Sequence, residues 1–148
     1  MADIFMELRR DHGELLRMLY ELAEAGADRQ RLFPELYGRL FAHLGAEQDV
    51  FYEELLLVPT ARERALEGFV EHRLISSLLA ELAPGDPFDE RWQATLAVLR
   101  ITFGRHVSDE EGPTFDLARE AVPEERAESL GGRFSAEKQR HLKFAMAR

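Results

Sequence analysis

The segment HLGAEQDVF at residues 43–51 is echoed later in the chain by HVSDEEGPTF at residues 106–115. Both segments begin with His-x-x-x-Glu, which defines the pairs His43–Glu47 and His106–Glu110. On an α-helix, side chains four residues apart lie on the same face. The repeated motif therefore predicts two helices, each of which turns one imidazole and one carboxylate toward the same side.

The composition is that of a globular domain. The chain has 148 residues, 45% of them hydrophobic and 32% charged, which fits a single domain over residues 1–148 with a sizeable core. The formal net charge of −9 argues against a nucleic-acid partner, because such a surface needs a basic patch. The absence of cysteine excludes disulfides, zinc ribbons and thiolate-bound iron–sulfur clusters.

The sequence predicts neither a signal peptide nor a membrane span. The first residues are charged and amphipathic, whereas a signal peptide has an apolar core. No stretch approaches the roughly 18 apolar residues that a transmembrane helix needs. We therefore expect a cytoplasmic protein without a membrane partner.

Apolar residues recur at steps of three and four in four segments, at about 3–25, 30–57, 60–82 and 88–111. Glycine and proline separate the segments, with a break at Gly112 and Pro113. Thr60 and Glu63 form a capping-box pattern at the start of the third segment. The prediction is an all-α fold, an up-down-up-down four-helix bundle over about residues 3–115.

The tail at about residues 116–148 is predicted to be an additional C-terminal helical segment. Pro123 would begin a fifth helix, which Gly131 and Gly132 bend or split. We expect this helix to lie across the bundle, with His141 at the surface and without a partner.

Six polar residues occupy positions of the predicted inner face where leucine would be usual: His12, His43, Glu47, His72, His106 and Glu110. Ionised carboxylates are costly in such an interior, and two of them repel each other. Two divalent cations would remove both problems. Four imidazoles and two bridging carboxylates can serve two ions and leave positions open for a small ligand. This donor set favours iron, with manganese or zinc as alternatives.

A ferritin-like carboxylate bundle is an alternative that the sequence can test. That class carries Glu-x-x-His motifs, with glutamate three residues before histidine. The residues at those positions here are Arg9, Leu40, Phe69 and Phe103. The order His-x-x-x-Glu therefore indicates a different kind of centre.

The chain instead resembles the hemerythrin and HHE cation-binding family over about residues 5–115. The residues that carry the resemblance, in the family's order, are Asp11–His12, His43-x-x-x-Glu47, Glu71–His72 and His106-x-x-x-Glu110-Glu111. The resemblance implies a non-haem centre of two iron ions inside the bundle. The implied ligands are His12 and His43 for one iron, His72 and His106 for the other, and Glu47 and Glu110 as bridges.

Two departures separate the chain from oxygen-carrying hemerythrins. Those proteins have a second histidine one turn after the position of His72, where this chain has Ser76. They also use an aspartate one residue beyond the position of Glu110. One iron would lose an imidazole and gain an open position, so the resemblance implies reaction with, or binding of, dioxygen, peroxide or nitric oxide. We favour a peroxide-decomposing or redox-protective role over oxygen storage.

Two other interpretations stay open. One is a non-catalytic oxygen or iron sensor whose bundle is ordered by metal occupancy, and the other is a metal-free bundle with polar core residues. We expect a small diatomic or peroxide ligand, and the sequence identifies no protein partner and no catalytic acid or base. Asp11 and Glu71 are assigned to the surface rather than to the orientation of a ligand. Tyr52 is not assigned to the interior.

Overall fold

The computed structural model of the protein describes residues 2–147 and contains helices but no strand in that range. The predicted all-α bundle is confirmed. None of the described helices is long and apolar enough to cross a membrane. The helical segments are α1 (Ile4–Ala23), α2 (Arg29–Ala46), π1 (Glu47–Tyr52), α3 (Glu53–Leu56), α4 (Arg62–Leu82), α5 (Glu90–Asp109), π2 (Glu110–Thr114), α6 (Phe115–Ala121) and α7 (Glu124–Met146).

Three aspartates set the starts of helices. The carboxylates of Asp3, Asp28 and Asp89 accept hydrogen bonds from backbone N–H groups in the first turns of α1, α2 and α5. Such an N-cap satisfies donors that have no partner within the helix. These three helices therefore begin within two residues of the predicted positions.

The capping box predicted from Thr60 and Glu63 does not form. α4 begins at Arg62, and the residue before it provides no side-chain cap. The Arg62 guanidinium instead donates to the backbone carbonyl of Leu56 at 2.9 Å, which ties the start of α4 to the end of α3. Thr60 lies one residue too early to act as the cap.

Both His-x-x-x-Glu motifs run from an α-helix into a π-helix at the glutamate. α2 continues through π1 into α3, and α5 continues through π2 into α6. The prediction that the fourth helix ends near residue 111 is wrong, because Gly112 and Pro113 lie inside π2. The Phe115 N–H donates to the carbonyl of Glu110, five residues back, so the chain passes Pro113 without leaving the helix.

In each of the pairs α1–α2 and α4–α5, the two helices run in opposite directions, as their contacts show. Between α1 and α2, Asp11 lies beside His43, and Glu14 lies beside Arg39. Between α4 and α5, the Trp92 indole N–H donates to the carbonyl of Leu82. Short connections are sufficient to join helices placed in this way.

Two apolar clusters lie on either side of a single polar layer. Leu15 and Leu40 belong to one cluster, and Leu8 and Phe115 belong to the other. Along α1, His12 lies between Leu8 and Leu15, and the other predicted ligands occupy the equivalent level of their helices. The apolar clusters therefore position the polar layer and separate it from solvent at both ends.

α7 corrects the prediction for the tail. It is one continuous helix, which Gly131 and Gly132 do not split. A Cβ at Gly131 would lie 2.5 Å from the carbonyl oxygen of Ala2, so glycine permits close approach of α7 to the start of α1. Further along, Lys138 contacts Asp11, and Leu142 lies beside Gly38. α7 thus runs lengthwise along α1 and α2 rather than across the bundle.

Candidate metal centre

The six residues predicted as ligands come together in the polar layer. Each is at most 2% exposed to solvent. They come from four helical rods of the bundle: His12 from α1, His43 and Glu47 from α2 and π1, His72 from α4, and His106 and Glu110 from α5 and π2. The packing of four separate helices is therefore needed to assemble the cluster.

One half of the cluster, which we call the His12–His43 half, contains ligand atoms that lack hydrogen bonds. His12 Nε2 lies 3.3 Å from Glu110 Oε1 and 3.6 Å from Glu47 Oε2. His43 Nε2 lies 3.7 Å from Glu47 Oε2. All four atoms are buried, and none has a hydrogen-bond partner. Unpartnered buried polar atoms are rare, and a cation among them would satisfy all four.

The His72–His106 half lies on the other side of the same carboxylates. His72 Nε2 is 2.7 Å from Glu47 Oε1, and His106 Nε2 is 3.5 Å from this oxygen and 3.4 Å from Glu110 Oε2. Glu47 and Glu110 each direct one oxygen to each half. This is the arrangement of two carboxylates that can bridge a pair of metal ions.

Tyr52 is a member of the cluster that the sequence reasoning missed. Its hydroxyl, which can donate one hydrogen bond, lies 2.5 Å from Glu110 Oε2 and 3.0 Å from Glu47 Oε1. It also lies 3.2 Å from His72 Nε2 and 3.3 Å from His106 Nε2. The His72–His106 half thus has a phenol oxygen that the other half lacks.

The π-helix explains why Tyr52 was missed. On an α-helix, Tyr52 would point about 140° away from Glu47, five residues earlier. In π1, hydrogen bonds span five residues, so side chains at that spacing come to the same face. A tyrosine five residues after the motif glutamate is the signal that could have identified it.

Each histidine of the cluster has a hydrogen-bond partner at its other ring nitrogen, Nδ1. The acceptors and distances are Glu111 at 2.7 Å for His12, Asp11 at 2.9 Å for His43, Gln48 at 3.0 Å for His72 and Glu71 at 2.8 Å for His106. In the neutral ring these contacts favour the tautomer with hydrogen on Nδ1, which leaves the Nε2 lone pair directed at the cluster.

The surface assignment of Asp11 and Glu71 is therefore wrong. Neither carboxylate orients the histidine that follows it in the sequence. Asp11 accepts from His43 on the neighbouring helix, and Glu71 accepts from His106. Such pairing between helices depends on how the helices pack, which the local sequence does not report.

The two central carboxyls differ in their ionisation in the metal-free protein. Burial and the adjacent charge of Glu47 raise the pKa of Glu110 to about 8. Burial also acts to raise the pKa of Glu47, but hydrogen bonds and the surrounding imidazoles outweigh it and hold that pKa well below the usual value. Near neutral pH, one carboxyl keeps its proton and the other is charged.

Protons on imidazoles take the place of cations in the metal-free cluster. Burial acts to lower the pKa of His106, but hydrogen bonds to Glu47 and Glu71 raise it to about 10. The pKa of His12 is likewise raised well above its usual value, since the nearby carboxylates of Glu110 and Glu111 outweigh the effect of burial. Metal ions would have to displace these protons, so metal uptake would release protons.

Ser76 lies away from the cluster. Its side chain is exposed and lines a surface cavity of about 340 Å³ together with Gln48 and His141. His141 was predicted to have no partner, but its Nε2 is hydrogen-bonded to Asp49 Oδ2 at 2.8 Å. The position where a carrier-type histidine would enter the centre is therefore open to the surface.

A small cavity connects the cluster with the surface between α4 and α5. Its volume is about 20 Å³, and Tyr52, His106 and Glu110 line its inner end. Arg64 and Asp109 line the same cavity. A space of this size holds roughly one water molecule, so only a small molecule can reach the cluster by this route.

Comparison with known families agrees with this geometry. A family model described as the hemerythrin HHE cation binding domain matches residues 3–118. The matched range contains all six predicted ligands and Tyr52, and it ends before α7 begins. Comparisons with curated proteins and with solved structures find no match. The chain belongs to the hemerythrin HHE cation-binding family.

Proposed function

We propose that the cluster binds two iron ions. The proposed ligands are His12 and His43 for one ion, His72, His106 and Tyr52 for the other, and Glu47 and Glu110 as bridges. The observation that carries the proposal is the group of four buried ligand atoms in the His12–His43 half without a hydrogen-bond partner. Leaving such groups unsatisfied is costly, and cations would satisfy them.

The donor chemistry supports iron. Imidazole and carboxylate donors with room for a further ligand suit iron, while manganese and zinc remain alternatives. The phenol of Tyr52 adds an oxygen donor to the half that lacks a carrier-type histidine. Ser76, at the position of that histidine, is exposed and supplies no imidazole.

We propose that the protein decomposes peroxide. When bound, the iron ions would supply the electron exchange for this reaction. Two molecules of H₂O₂ would give one O₂ and two H₂O, a balance that needs no further oxidant or reductant. Dioxygen and nitric oxide are small enough for the same cavity, and we expect them to bind as competitors.

The chain's own residues contribute position and exclusion of water. The Tyr52 oxygen lies within hydrogen-bond distance of both carboxylates and lines the cavity that leads to the centre. The ring of Phe103 packs against His12, His43 and His106, with centroids 6.1–6.3 Å apart. Such apolar walls keep water from the centre.

A sensor without catalytic activity is the second candidate. The observation that favours it is that the proposed ligands lie on four different helical segments of the bundle. Each bound ion would therefore connect separate helices. Because ion binding is then coupled to folding, loss of iron would loosen the bundle and alter its surface. A partner that reads this surface is part of this second proposal.

Metal analysis and peroxide turnover test the proposal together. Untreated protein should contain two iron ions per chain and evolve O₂ from H₂O₂ over many cycles. A protein that keeps two iron ions but only changes its colour or melting temperature would support the sensor. Protein that retains no metal after exposure to Fe(II) would contradict both candidates.

Two histidine variants form a matched pair for this test. His43→Ala removes an imidazole of the cluster and should lose metal, turnover and thermal stability together. His141→Ala removes a histidine outside the cluster and should keep all three. Full metal content in His43→Ala would show that the ligand assignment is wrong.

A further inference from the structure

The C-terminal helix reaches the centre although it lies outside the matched family range. α7 spans Glu124–Met146, whereas the family match ends at residue 118. Its contacts with the centre are concentrated at His43. This helix is therefore a part of the chain that can alter one half of the cluster.

A chain of short polar contacts leads from α7 to His43. Lys138 Nζ lies 2.7 Å from Asp11 Oδ1, and Asp11 Oδ2 accepts a hydrogen bond from His43 Nδ1 at 2.9 Å. Asp11 is 6% exposed, and the side chain of Lys138 is 25% exposed. One carboxylate thus joins an ammonium group to an imidazole of the cluster, largely away from water.

Apolar contacts hold α7 in this position. The ring of Phe134 packs edge-on against the His43 ring, with centroids 5.8 Å apart and an angle of 77° between the planes. One turn earlier, Gly131 allows α7 to lie directly against the backbone of Ala2 and Asp3. These contacts place Lys138 over Asp11.

The hydrogen-bond partners of the histidines in the His72–His106 half do not involve α7. His72 Nδ1 is hydrogen-bonded to Gln48 in π1, and His106 Nδ1 to Glu71 in α4. Only the His12–His43 half includes an imidazole whose carboxylate partner is paired with a lysine of α7. A change at this lysine should therefore affect the two halves unequally.

We propose that Lys138 is a positioning residue, which orients Asp11 and through it His43, so that α7 completes one of the two metal sites. The ammonium group holds the Asp11 carboxylate in place, and this carboxylate fixes the His43 ring with Nε2 toward the ion. Partners of metal-binding histidines typically alter metal affinity 10- to 100-fold. This inference rests on the proposed binding of two ions.

The two lysines of the chain provide a matched test, because both lie in α7. Lys138→Met removes the ammonium group and keeps much of the apolar stem, whereas Lys138→Arg keeps a cation. Lys143→Met removes an exposed lysine one turn later as a control. Metal-free full-length variants are titrated with Fe(II) under anaerobic conditions against a competing chelator. Circular dichroism verifies the helical content of each variant.

The expected result is a selective loss at one site. Lys138→Met should bind one ion as wild type does and the other about 10-fold more weakly, while Lys138→Arg and Lys143→Met should match wild type. In ¹⁵N spectra of the metal-free protein, Lys138→Met should shift or broaden the His43 Nδ1–H signal. Equal affinities at both sites in Lys138→Met, or an unchanged His43 signal, would overturn the inference.

The two measurements separate this inference from the proposed function. A wild-type chain that binds no ion would contradict the proposed function, and the His43 signal would still decide whether Lys138 orients the ring. If Lys138→Met does not fold, Lys138→Gln replaces it with the same expected loss, and Lys138→Arg shows whether a cation restores the site.

Discussion

The carboxyls of Glu47 and Glu110 meet four imidazoles and one phenol in the buried polar layer of the bundle. In the metal-free protein, the pKa of Glu110 is raised to about 8 and that of Glu47 is lowered well below its usual value. The two glutamates therefore carry different charges before ions bind, although both face the same centre. Neutralising Glu47 should therefore change the stability of the metal-free protein differently from neutralising Glu110.

Glu110→Gln and Glu47→Gln are matched variants that test this difference. Because Glu110 already holds a proton near pH 7, Glu110→Gln should change the stability of the metal-free protein little. Glu47→Gln removes a buried charge that pairs with imidazoles and should cost about 3 kcal/mol. Urea unfolding of the metal-free variants at pH 7 measures the free energy of unfolding of each. Equal losses in the two variants would contradict the assigned charges.

Tyr52→Phe tests the phenol in the His72–His106 half. The variant keeps four imidazoles and two carboxylates, so it should still bind two iron ions. It should lose the visible absorption band that a phenolate bound to Fe(III) produces. Tyr37→Phe, in α2 and away from the cluster, is the control. A spectrum unchanged by Tyr52→Phe would show that the phenol does not bind iron.

At the level of the elements, the regular α-helices were predictable, and the π-helices were not. The periodicity of apolar residues placed His12 and His72 on inner faces because a uniform α-helix repeats every 3.6 residues. The same rule left Tyr52 unassigned, although a π turn brings it back to the face of Glu47. Gly112 and Pro113 predicted an end of the fourth helix near residue 111, although both lie within a π turn.

Contacts between elements were the least predictable feature. The sequence favours a surface position for Asp11, yet this carboxylate accepts a hydrogen bond from His43 on another helix. The sequence indicated that α7 exists, but its path along α1 follows from Gly131 packing against the backbone near Ala2. Such contacts depend on distances between helices, which periodicity within one helix does not contain.

A substitution at Gly68 in α4 tests whether packing between helices holds Tyr52 in place. A Cβ at Gly68 would lie 2.6 Å from Cζ of Tyr52. Gly68→Ala should therefore push the phenol out of place and destabilise the protein by about 1–3 kcal/mol. The change should also weaken the iron–phenolate band. Thermal unfolding and the visible spectrum measure the two effects.

Gly104→Ala is the control for Gly68→Ala. The nearest atom to a Cβ at Gly104, Leu16 Cδ2, is 3.9 Å away, so alanine fits there. Because alanine favours helix over glycine, Gly104→Ala should stabilise α5 by about 0.5–1 kcal/mol. If Gly68→Ala behaves like Gly104→Ala, the contact with Tyr52 is not a packing constraint.

For the molecule as a whole, the centre makes the stability of the metal-free protein depend on pH. Folding raises the pKa of Glu110 from 4.5 to about 8 and that of His106 from 6.5 to about 10. Each stabilising contribution is complete below the unfolded value and is lost as the pH rises through the folded value. The contribution of Glu110 therefore declines between about pH 4.5 and 8, and that of His106 between about pH 6.5 and 10, so the loss above pH 8 comes from His106.

The metal-free protein should melt at a lower temperature at pH 10 than at pH 7, by about 5 °C or more. The iron-loaded protein should show a smaller decrease, because ions replace the protons. Differential scanning calorimetry of both forms across this range provides the comparison. A melting temperature of the metal-free form that rises with pH would contradict the protonated state assigned to the cluster.

The proposed centre places two cations between the four histidines of the bundle. Anomalous X-ray diffraction at the iron edge, on crystals of iron-loaded protein, observes those cations directly. One peak should lie beside His12 and His43, and a second beside His72, His106 and Tyr52. A single peak, a peak outside the polar layer or no peak would contradict the di-iron centre.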